Sequence, residues 1–435
     1  MKVGTLLEAD GSKVSCPNAS SQMSYFEQLL NENGIERAST PEEADYIVYS
    51  SCGFDGKTLK QVSDTIKSLV GLQMWNGVHY KLIIVGCITK LLTSLDGLNE
   101  DVVFITDNVW SKATLDYILN REKNITINDM LASKIKTYCY GNDVFIAANI
   151  VDGCVNRCSF CKNNYMKNEV TSIPYDELLS YLKQKIANGT KFIDFHGETL
   201  NIYGIDLYGK PILHKLLHEL AKEKELVGIS LGEVTVQNMY PELLEEIKRN
   251  PKIKNLTLQL ESGSNEILKS MNRGHTIEEF DDIASTIMNS GKFVDTVLMS
   301  GYPSETYHDL DLTLDYIKKS RIPVYKICQY VDSELLPSHK LEQFTYEEKL
   351  RHTKYLREVL KPLNVEIYRE NIWRMGKAVI YGRKDNVVFT VGGTTLFAYS
   401  DKEKHRKLEL GSVIEEPPKT FVKKSKIVKG SVYRY

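Results

Sequence analysis

An α/β protein in three parts is what this sequence predicts: an amino-terminal parallel α/β domain over residues 1–138, a partial (β/α)6 barrel of the TIM type over 139–345, and a helix with a small, basic, β-rich domain over 346–435. Three observations predict it. Short β-rich runs alternate with amphipathic helical patterns through most of the chain, which argues for parallel sheets joined by crossover helices. The central stretch holds six such runs, enough for a partial barrel with right-handed crossovers. Beyond about residue 365 the helical periodicity gives way to β-rich runs in a basic segment.

In the first part, strands are expected at Lys2–Leu7, Tyr46–Ser50 and Lys81–Val85, with helices at Ser20–Asn33 and Leu59–Leu72. In the second, strands are expected at Val144–Ile150, Lys191–Phe195, Val227–Val236, Asn255–Leu260, Val294–Ser300 and Val324–Val331. Helices between them are expected at Asp176–Asn188, Ile212–Glu223, Pro241–Asn250, Ile277–Asn289 and Tyr307–Lys319. The third part opens with a helix at Tyr346–Lys361 ending near "KPLN", then β-rich runs at Val365–Tyr368, Lys377–Tyr381, Val387–Val391 and Thr395–Tyr399.

The chain has 435 residues, 26% charged and 42% hydrophobic, with a formal net charge of −2. Such a chain can bury two or three sizeable cores. No apolar run approaches the roughly 18 residues of a membrane helix, so no membrane partner is expected. The start, "MKVGTLLEADGSK", carries an acidic pair where a secretory signal carries its apolar core. A cytoplasmic location is expected, where thiols stay reduced and clustered cysteines serve as metal ligands or redox groups. Charge is uneven: residues 366–435 carry +7 and the remainder −9. A basic end suits phosphate contacts, although "EEPPKTFVKKSKIVKG" also has the composition of a solvated, flexible tail.

The chemistry concentrates in "VDGCVNRCSFCKNNY", where Cys154, Cys158 and Cys161 stand at C-x3-C-x2-C spacing. The polar, turn-forming flanks mark a loop and exclude the apolar face of an element. Zinc would want a fourth ligand at comparable spacing, and the next histidine is His196. Three thiolates on one short loop suit a 4Fe–4S cube with one iron left open to a ligand that is not protein. The loop follows the first barrel strand, at the end of the sheet where such barrels carry their active sites.

Three more cysteines, Cys16, Cys52 and Cys87, each follow an expected strand of the first domain. In a parallel sheet those three loops open on one edge, where α/β proteins bind ligands. Residues far apart in sequence are thereby expected to converge.

The C-x3-C-x2-C loop, with Phe160 just before its last cysteine, resembles the signature of radical S-adenosylmethionine (SAM) enzymes. The resemblance implies that Cys154, Cys158 and Cys161 hold a 4Fe–4S cluster, that SAM chelates its open iron, and that an electron from the cluster cleaves SAM to a 5′-deoxyadenosyl radical. "FHGE" stands where that family holds the SAM amino group, which assigns Gly197 and Glu198 and leaves His196 as a satisfied strand-end histidine. "LQLESGSNEILKSMNRG" resembles the segment lining the SAM pocket. It implies Ser262, Gly263 and Ser264 as the loop and Arg273 as a partner of the SAM carboxylate. "SGYPSET" resembles the family's Gly-Phe-Pro-Gly-Glu-Thr turn, with Ser/Glu capping expected at the helix start.

The amino-terminal segments "SCPNASSQMSYFEQLLNENG", "ADYIVYSSCGFDGKTLKQVSDTI" and "LIIVGCITK" are similar to the three cysteine motifs of the methylthiotransferase family. That resemblance covers about residues 1–365 and implies a second 4Fe–4S cluster on Cys16, Cys52 and Cys87 for sulfur delivery. It also implies a flavodoxin- or ferredoxin-like electron donor. "CPN", "SCGF" and "YGIDLYGKP" look more like the RimO-type branch, which modifies the β-carbon of an aspartate in a ribosomal protein. "ESGSNEIL" looks more like the branch that modifies a tRNA adenosine. The expected substrate is therefore a protein or peptide, with tRNA as the alternative. A non-catalytic iron–sulfur or SAM-binding module is disfavoured because SAM-pocket segments accompany the cluster loop. The family commonly ends in a small five-stranded barrel, TRAM, and the basic end is expected as a degenerate copy. Cys139 and Cys328 match no motif. Cys328, in an apolar strand, is expected in the core.

Overall fold

The structure, a computed structural model, describes residues 1–8, 17–51, 59–75, 79–90, 102–135, 144–163, 169–371, 374, 376–384, 387–391, 396–399 and 411–414. It divides into two compact units, Met1–Thr137 and Tyr138–Tyr433. The described residues of the 346–435 segment fall within the second.

The first unit is a five-stranded parallel sheet in the order β2-β1-β3-β4-β5. Its elements are β1 (Lys2–Glu8), α1 (Pro17–Glu32), β2 (Glu36–Arg37), β3 (Tyr46–Ser51), α2 (Leu59–Trp75), β4 (Lys81–Val85), β5 (Val102–Ile105), α3 (Trp110–Ile118) and α4 (Ile127–Ile135). Val48, Ile83, Val85 and Ile105 from the strands share a core with Phe26 and Leu30 of α1 and Trp110 and Leu115 of α3. One polar device fixes α1 against α3: Gln22 accepts from the Ser111 hydroxyl at 2.7 Å and donates to the Asn108 carbonyl at 2.7 Å. β2, β5, α3 and α4 were not expected from sequence. β2 is two residues long and β5 four, too short for a period-2 signal.

The second unit is built on a seven-stranded sheet in the order β12-β11-β10-β9-β8-β6-β7. The six long strands run parallel, as the partial barrel requires. They are β6 (Phe145–Asp152), β8 (Phe192–Gly197), β9 (Gly228–Val234), β10 (Ile253–Glu261), β11 (Phe293–Ser300) and β12 (Val324–Gln329). β7 (Thr171–Ser172) adds an antiparallel edge beside β6. The helices are α5 (Tyr175–Ala187), α6 (Ile205–Tyr208), α7 (Leu213–Ala221), α8 (Pro241–Arg249), α9 (Asn265–Ser270), α10 (Ile277–Asn289), α11 (Tyr307–Ser320) and α12 (Tyr346–Asn371). Their starts carry local signals: proline at the first position of α8, and capping boxes from Thr276 with Glu279 and from Thr306 with Asp309.

Two expectations are corrected here. The helix expected to stop at Lys361 runs through Pro362 to Asn371, so Val365–Tyr368 is helix and not strand. Proline removes one helical hydrogen bond, but Leu356, Leu360 and Ile367 bury one continuous face of the helix. Asn364 adds to this by donating to the Val324 carbonyl and accepting from its amide, both at 2.9 Å. Tertiary contacts override the local stop. In the "SGYPSET" turn, the cap of α11 is Thr306 and not Ser304, which lies at φ +70°. Glu305 instead accepts from the Gly301 amide at 2.6 Å and meets His352 at 3.1 Å.

The end of the chain forms an antiparallel sheet of β13 (Ala378–Lys384), β14 (Val387–Val391), β15 (Leu396–Tyr399) and β16 (Val413–Ile414), in the order β15-β14-β13-β16. Among the described residues it has four strands, against the five of the expected TRAM copy. Cys328, expected in the core, is half-buried on β12, and Cys139 lies outside the described residues. No helix among the described residues is long and apolar enough to cross a membrane.

Candidate active site at the carboxyl ends of the barrel strands

The cysteine loop leaves β6 through Gly153, whose φ of +86° suits only glycine. A Cβ there would come 2.3 Å from the Glu169 carbonyl oxygen. The Gly153 amide donates to Glu198 Oε2 at 2.9 Å, so the carboxylate after β8 anchors the start of the loop. Gly197, just before it, has no room for a side chain: a Cβ would sit 2.5 Å from Val151 Cγ1.

Each loop cysteine has its own setting. Cys154 Sγ lies 2.9 Å from the Thr199 hydroxyl and accepts from the Asn156 amide at 3.3 Å. Cys158 is buried, and its sulfur accepts from Arg273 Nη1 at 3.4 Å. The Cys161 amide donates to the Cys158 carbonyl at 3.2 Å, closing a tight turn. Burial pushes the Cys158 thiol up, with Arg273 pulling it back. Burial pushes Cys161 up to about 12, and the other two thiolates push the same way. Burial of this kind at Cys158 and Cys161 favours the thiol over the bare thiolate unless a cation takes the place of the proton. An iron–sulfur cluster supplies that cation, so the donor set fits the expected cofactor. Among the described residues no three His, Cys, Asp or Glu side chains converge as a single-ion site needs. Thiolates that each take a separate iron need no such convergence.

Ser159, inside the loop, is its anchor. Its amide donates to the Met271 carbonyl at 2.9 Å and its carbonyl accepts from the Ser338 hydroxyl at 2.7 Å. Its own hydroxyl donates to the Ser270 carbonyl at 2.8 Å and lies 3.0 Å from the Tyr302 hydroxyl. Phe160 packs against the apolar cluster of Ile267, Met271, Tyr302, Tyr330 and Leu336. The loop is held on one side by hydroxyls and on the other by an aromatic wedge. Cys spacing reveals none of this, because the partners are far away in sequence, those of the Ser159 hydroxyl and carbonyl 111 to 179 residues off.

Arg273 is 8% exposed. Besides Cys158 it donates from Nη2 to the Gln259 carbonyl at 2.9 Å, while its Nε is buried with no hydrogen-bond partner. A buried donor left over beside the cysteine loop fits a carboxylate-bearing ligand. Glu261 lies in its field: burial pushes that carboxyl up, and Arg273 pulls it back. Ser262, Gly263 and Ser264 are brought to the same strand end, but much of their bonding faces α11. Ser264 donates to Asp309 Oδ1 at 2.6 Å, and the Gly263 amide donates to the Thr313 hydroxyl at 2.8 Å. A Cβ on Gly263 would come 2.5 Å from Thr313 Cα. Gly263→Ala is therefore expected to lower stability by about 2 kcal/mol or more, because backbone must move. Denaturant titration monitored by circular dichroism checks this, and an unchanged midpoint would refute it.

His196 stands between two carboxylates, with Nε2 2.9 Å from Asp194 and Nδ1 3.0 Å from Glu233. Sequence reading left it outside the site and did not single out either partner. In the first unit, Cys87 is half-buried and opens a short turn, Cys87–Lys90, one residue past β4. Gly86 before it, at φ +85°, brings β4 close to the end of β3: a Cβ would lie 3.1 Å from Ser50 Oγ. Cys16 and Cys52 lie outside the described residues.

Comparisons with known proteins follow the same division. The family model of the radical SAM superfamily matches residues 148–317, and that of an uncharacterized protein family, UPF0004, matches residues 12–104. The ribosomal protein uS12 methylthiotransferase RimO of Carboxydothermus hydrogenoformans is 29% identical over 325 residues, 72% of this chain and 73% of that protein. A tRNA-2-methylthio-N(6)-dimethylallyladenosine synthase of Thermotoga petrophila is 26% identical over 378 residues, 83% of each. Among solved structures, the radical SAM methyltransferase TsrM of Kitasatospora setae, with cobalamin and a [4Fe-4S] cluster bound, superposes with a TM-score of 0.52. It is 9% identical and covers 78% of this chain and 77% of that one. The cobalamin-dependent enzyme OxsB, with SAM bound, gives 0.51 at 13% identity, over 82% and 56%. Those two likenesses are of fold alone.

Proposed function

This chain belongs to the radical SAM methylthiotransferase family, and from that premise we propose that it inserts a methylthio group at an unactivated carbon of a protein residue, with ribosomal protein uS12 as the substrate and an aspartate as its target. It is an enzyme, a sulfur-group transferase that uses SAM and 4Fe–4S clusters. The observation that carries the reading is the pairing of a cysteine loop backed by buried Arg273 with an amino-terminal sheet that sets Cys87 just past β4.

In this reading Cys154, Cys158 and Cys161 hold one cluster, and Cys16, Cys52 and Cys87 hold the second. When bound, the cluster on the barrel loop supplies the electron that opens the sulfonium of SAM. The rest is done by the chain. Arg273 keeps positive charge beside Cys158 and offers Nε to a carboxylate. Glu198 fixes the loop through Gly153 and offers a negative partner to an ammonium. Ser159, held by Ser338 and Ser270 and beside Tyr302, keeps the loop in one geometry. A flavodoxin- or ferredoxin-like donor and a cytoplasmic setting complete the proposal.

One observation favours a second reading, methylthiolation of a tRNA adenosine. Residues 366–435 carry a charge of +7, which suits a phosphate backbone. Mass spectrometry of uS12 and of cellular tRNA from cells expressing the protein decides between them. A methylthio mass increment on a uS12 aspartate is expected. The same increment on tRNA adenosine, with uS12 unmodified, overturns the protein reading.

A further inference from the structure

Glu233 is bent out of the pattern of its strand. On β9, Gly232 lies against the His196 ring, where a Cβ would come 2.7 Å from Nδ1. Strand alternation would turn the next side chain to the opposite face. Two irregularities turn it back. The β9–β10 pairing shifts register between Leu256 and Leu258, leaving an extra residue on β9, and Glu233 itself sits at φ +51°. Its carboxylate thereby reaches His196 Nδ1 at 3.0 Å. A non-glycine residue in the left-handed region is strained, and bulges are used to re-aim side chains beside functional sites.

What lies behind Glu233 sets its charge. His196 Nε2 is 2.9 Å from buried Asp194. Burial alone would strip the ring of its proton, but the two carboxylates hold its pKa well above the ordinary histidine value. Two carboxylates and one imidazolium leave one net negative charge. Asp194 is buried while the Glu233 side chain is 40% exposed, so that charge can be reached at Glu233. The neighbours add acceptors. Asp194 Oδ1 and Asn149 Oδ1 are buried without a hydrogen-bond partner, and Asn149 is the register partner of His196. Among the described residues no lysine or arginine pairs with Asp194 or Glu233. A region with spare acceptors and negative charge asks for a donor.

We propose that Glu233 is a specificity-determining residue that binds a lysine or arginine side chain of the substrate polypeptide close to the modified residue, with His196 and Asp194 as positioning residues behind it. This rests on the protein-substrate reading above. The cationic head then makes a charge-assisted hydrogen bond at the rim of the barrel. SAM also carries an ammonium group, and the test separates the two cations.

Reconstituted Glu233→Gln enzyme is compared with the unaltered enzyme on recombinant uS12, and on uS12 whose Lys and Arg residues flanking the modified position are changed to Gln. Glu233→Gln is expected to raise KM for uS12 about ten- to hundredfold, the range for one hydrogen bond to a charged group. The KM for SAM and uncoupled 5′-deoxyadenosine formation are expected to stay the same. The neutralised uS12 should lose the same factor with the unaltered enzyme, and the two losses should not add. If Gln at 233 compromises folding, the neutralised uS12 on the unaltered enzyme reads the contact by itself. An unchanged uS12 KM in both arms overturns the inference and leaves the proposed function standing. A raised KM for SAM places Glu233 on the SAM ammonium and also overturns it. Methylthiolation of dimethylallyladenosine-bearing tRNA but not of uS12 overturns the inference together with the reading beneath it.

Discussion

Alanine at Cys154, Cys158 and Cys161 together is expected to abolish reductive cleavage of SAM and to remove about half of the iron from the anaerobically reconstituted protein, from about eight atoms to about four. The expectation follows from how the loop is built. Cys158 is buried against a guanidinium, and burial keeps all but a metal-bound thiol protonated at Cys161. Without the cluster, Arg273 faces no thiolate, and no group on the loop can pass an electron. The fold should survive, since Ser159 and Phe160 hold the loop through contacts that the substitutions leave alone. Iron analysis and chromatography of 5′-deoxyadenosine under dithionite make the measurement. Undiminished SAM cleavage would remove the loop from the chemistry. About four irons in the unmodified protein would remove the second cluster.

Much of this site was legible because its signals are local. The cysteine spacing, the turn-forming flanks and the strand before them all lie within about twenty residues. Their meaning depends on chemistry that three thiolates can do anywhere. The barrel strands were legible for the same reason: each is a β-rich run of six to nine residues, and all but β12 are largely buried. What stayed hidden depends on partners brought in by the fold. Pro362 looks like a stop, and only Asn364 against the Val324 backbone explains why the helix continues. His196 looked like an ordinary strand-end histidine because Glu233 meets it through a bulge, which no alternation of residue types announces. The "ESGS" loop reads as pocket lining, yet Ser264 and Gly263 also clasp Asp309 and Thr313 of the next crossover helix. A motif can mark a site while many of its atoms serve the scaffold.

The opposite variant, with Cys16, Cys52 and Cys87 changed to alanine, should still cleave SAM to 5′-deoxyadenosine under dithionite while forming no methylthio product. The two cysteine sets differ in placement. One lies on a single loop of the barrel, among Arg273, Glu198 and the Ser159 network. Of the other, Cys87 stands one residue past β4, at the carboxyl edge of a parallel sheet, and β3 ends at Ser51, immediately before Cys52. An electron must reach the sulfonium of SAM, and the residues proposed to hold SAM, Arg273 and Glu198, lie beside the barrel loop. Among the described residues around Cys87 no such setting is found, so a cluster on the amino-terminal sheet is expected to deliver sulfur. The variant should keep about four irons, an unchanged SAM KM and a cleavage rate within a few-fold of the unmodified enzyme, while methylthiolation of uS12 falls below detection. Iron content and circular dichroism show that it remains folded. If it then fails to cleave SAM, the separation of roles is wrong, and the electron reaches the barrel loop only by way of the amino-terminal cysteines.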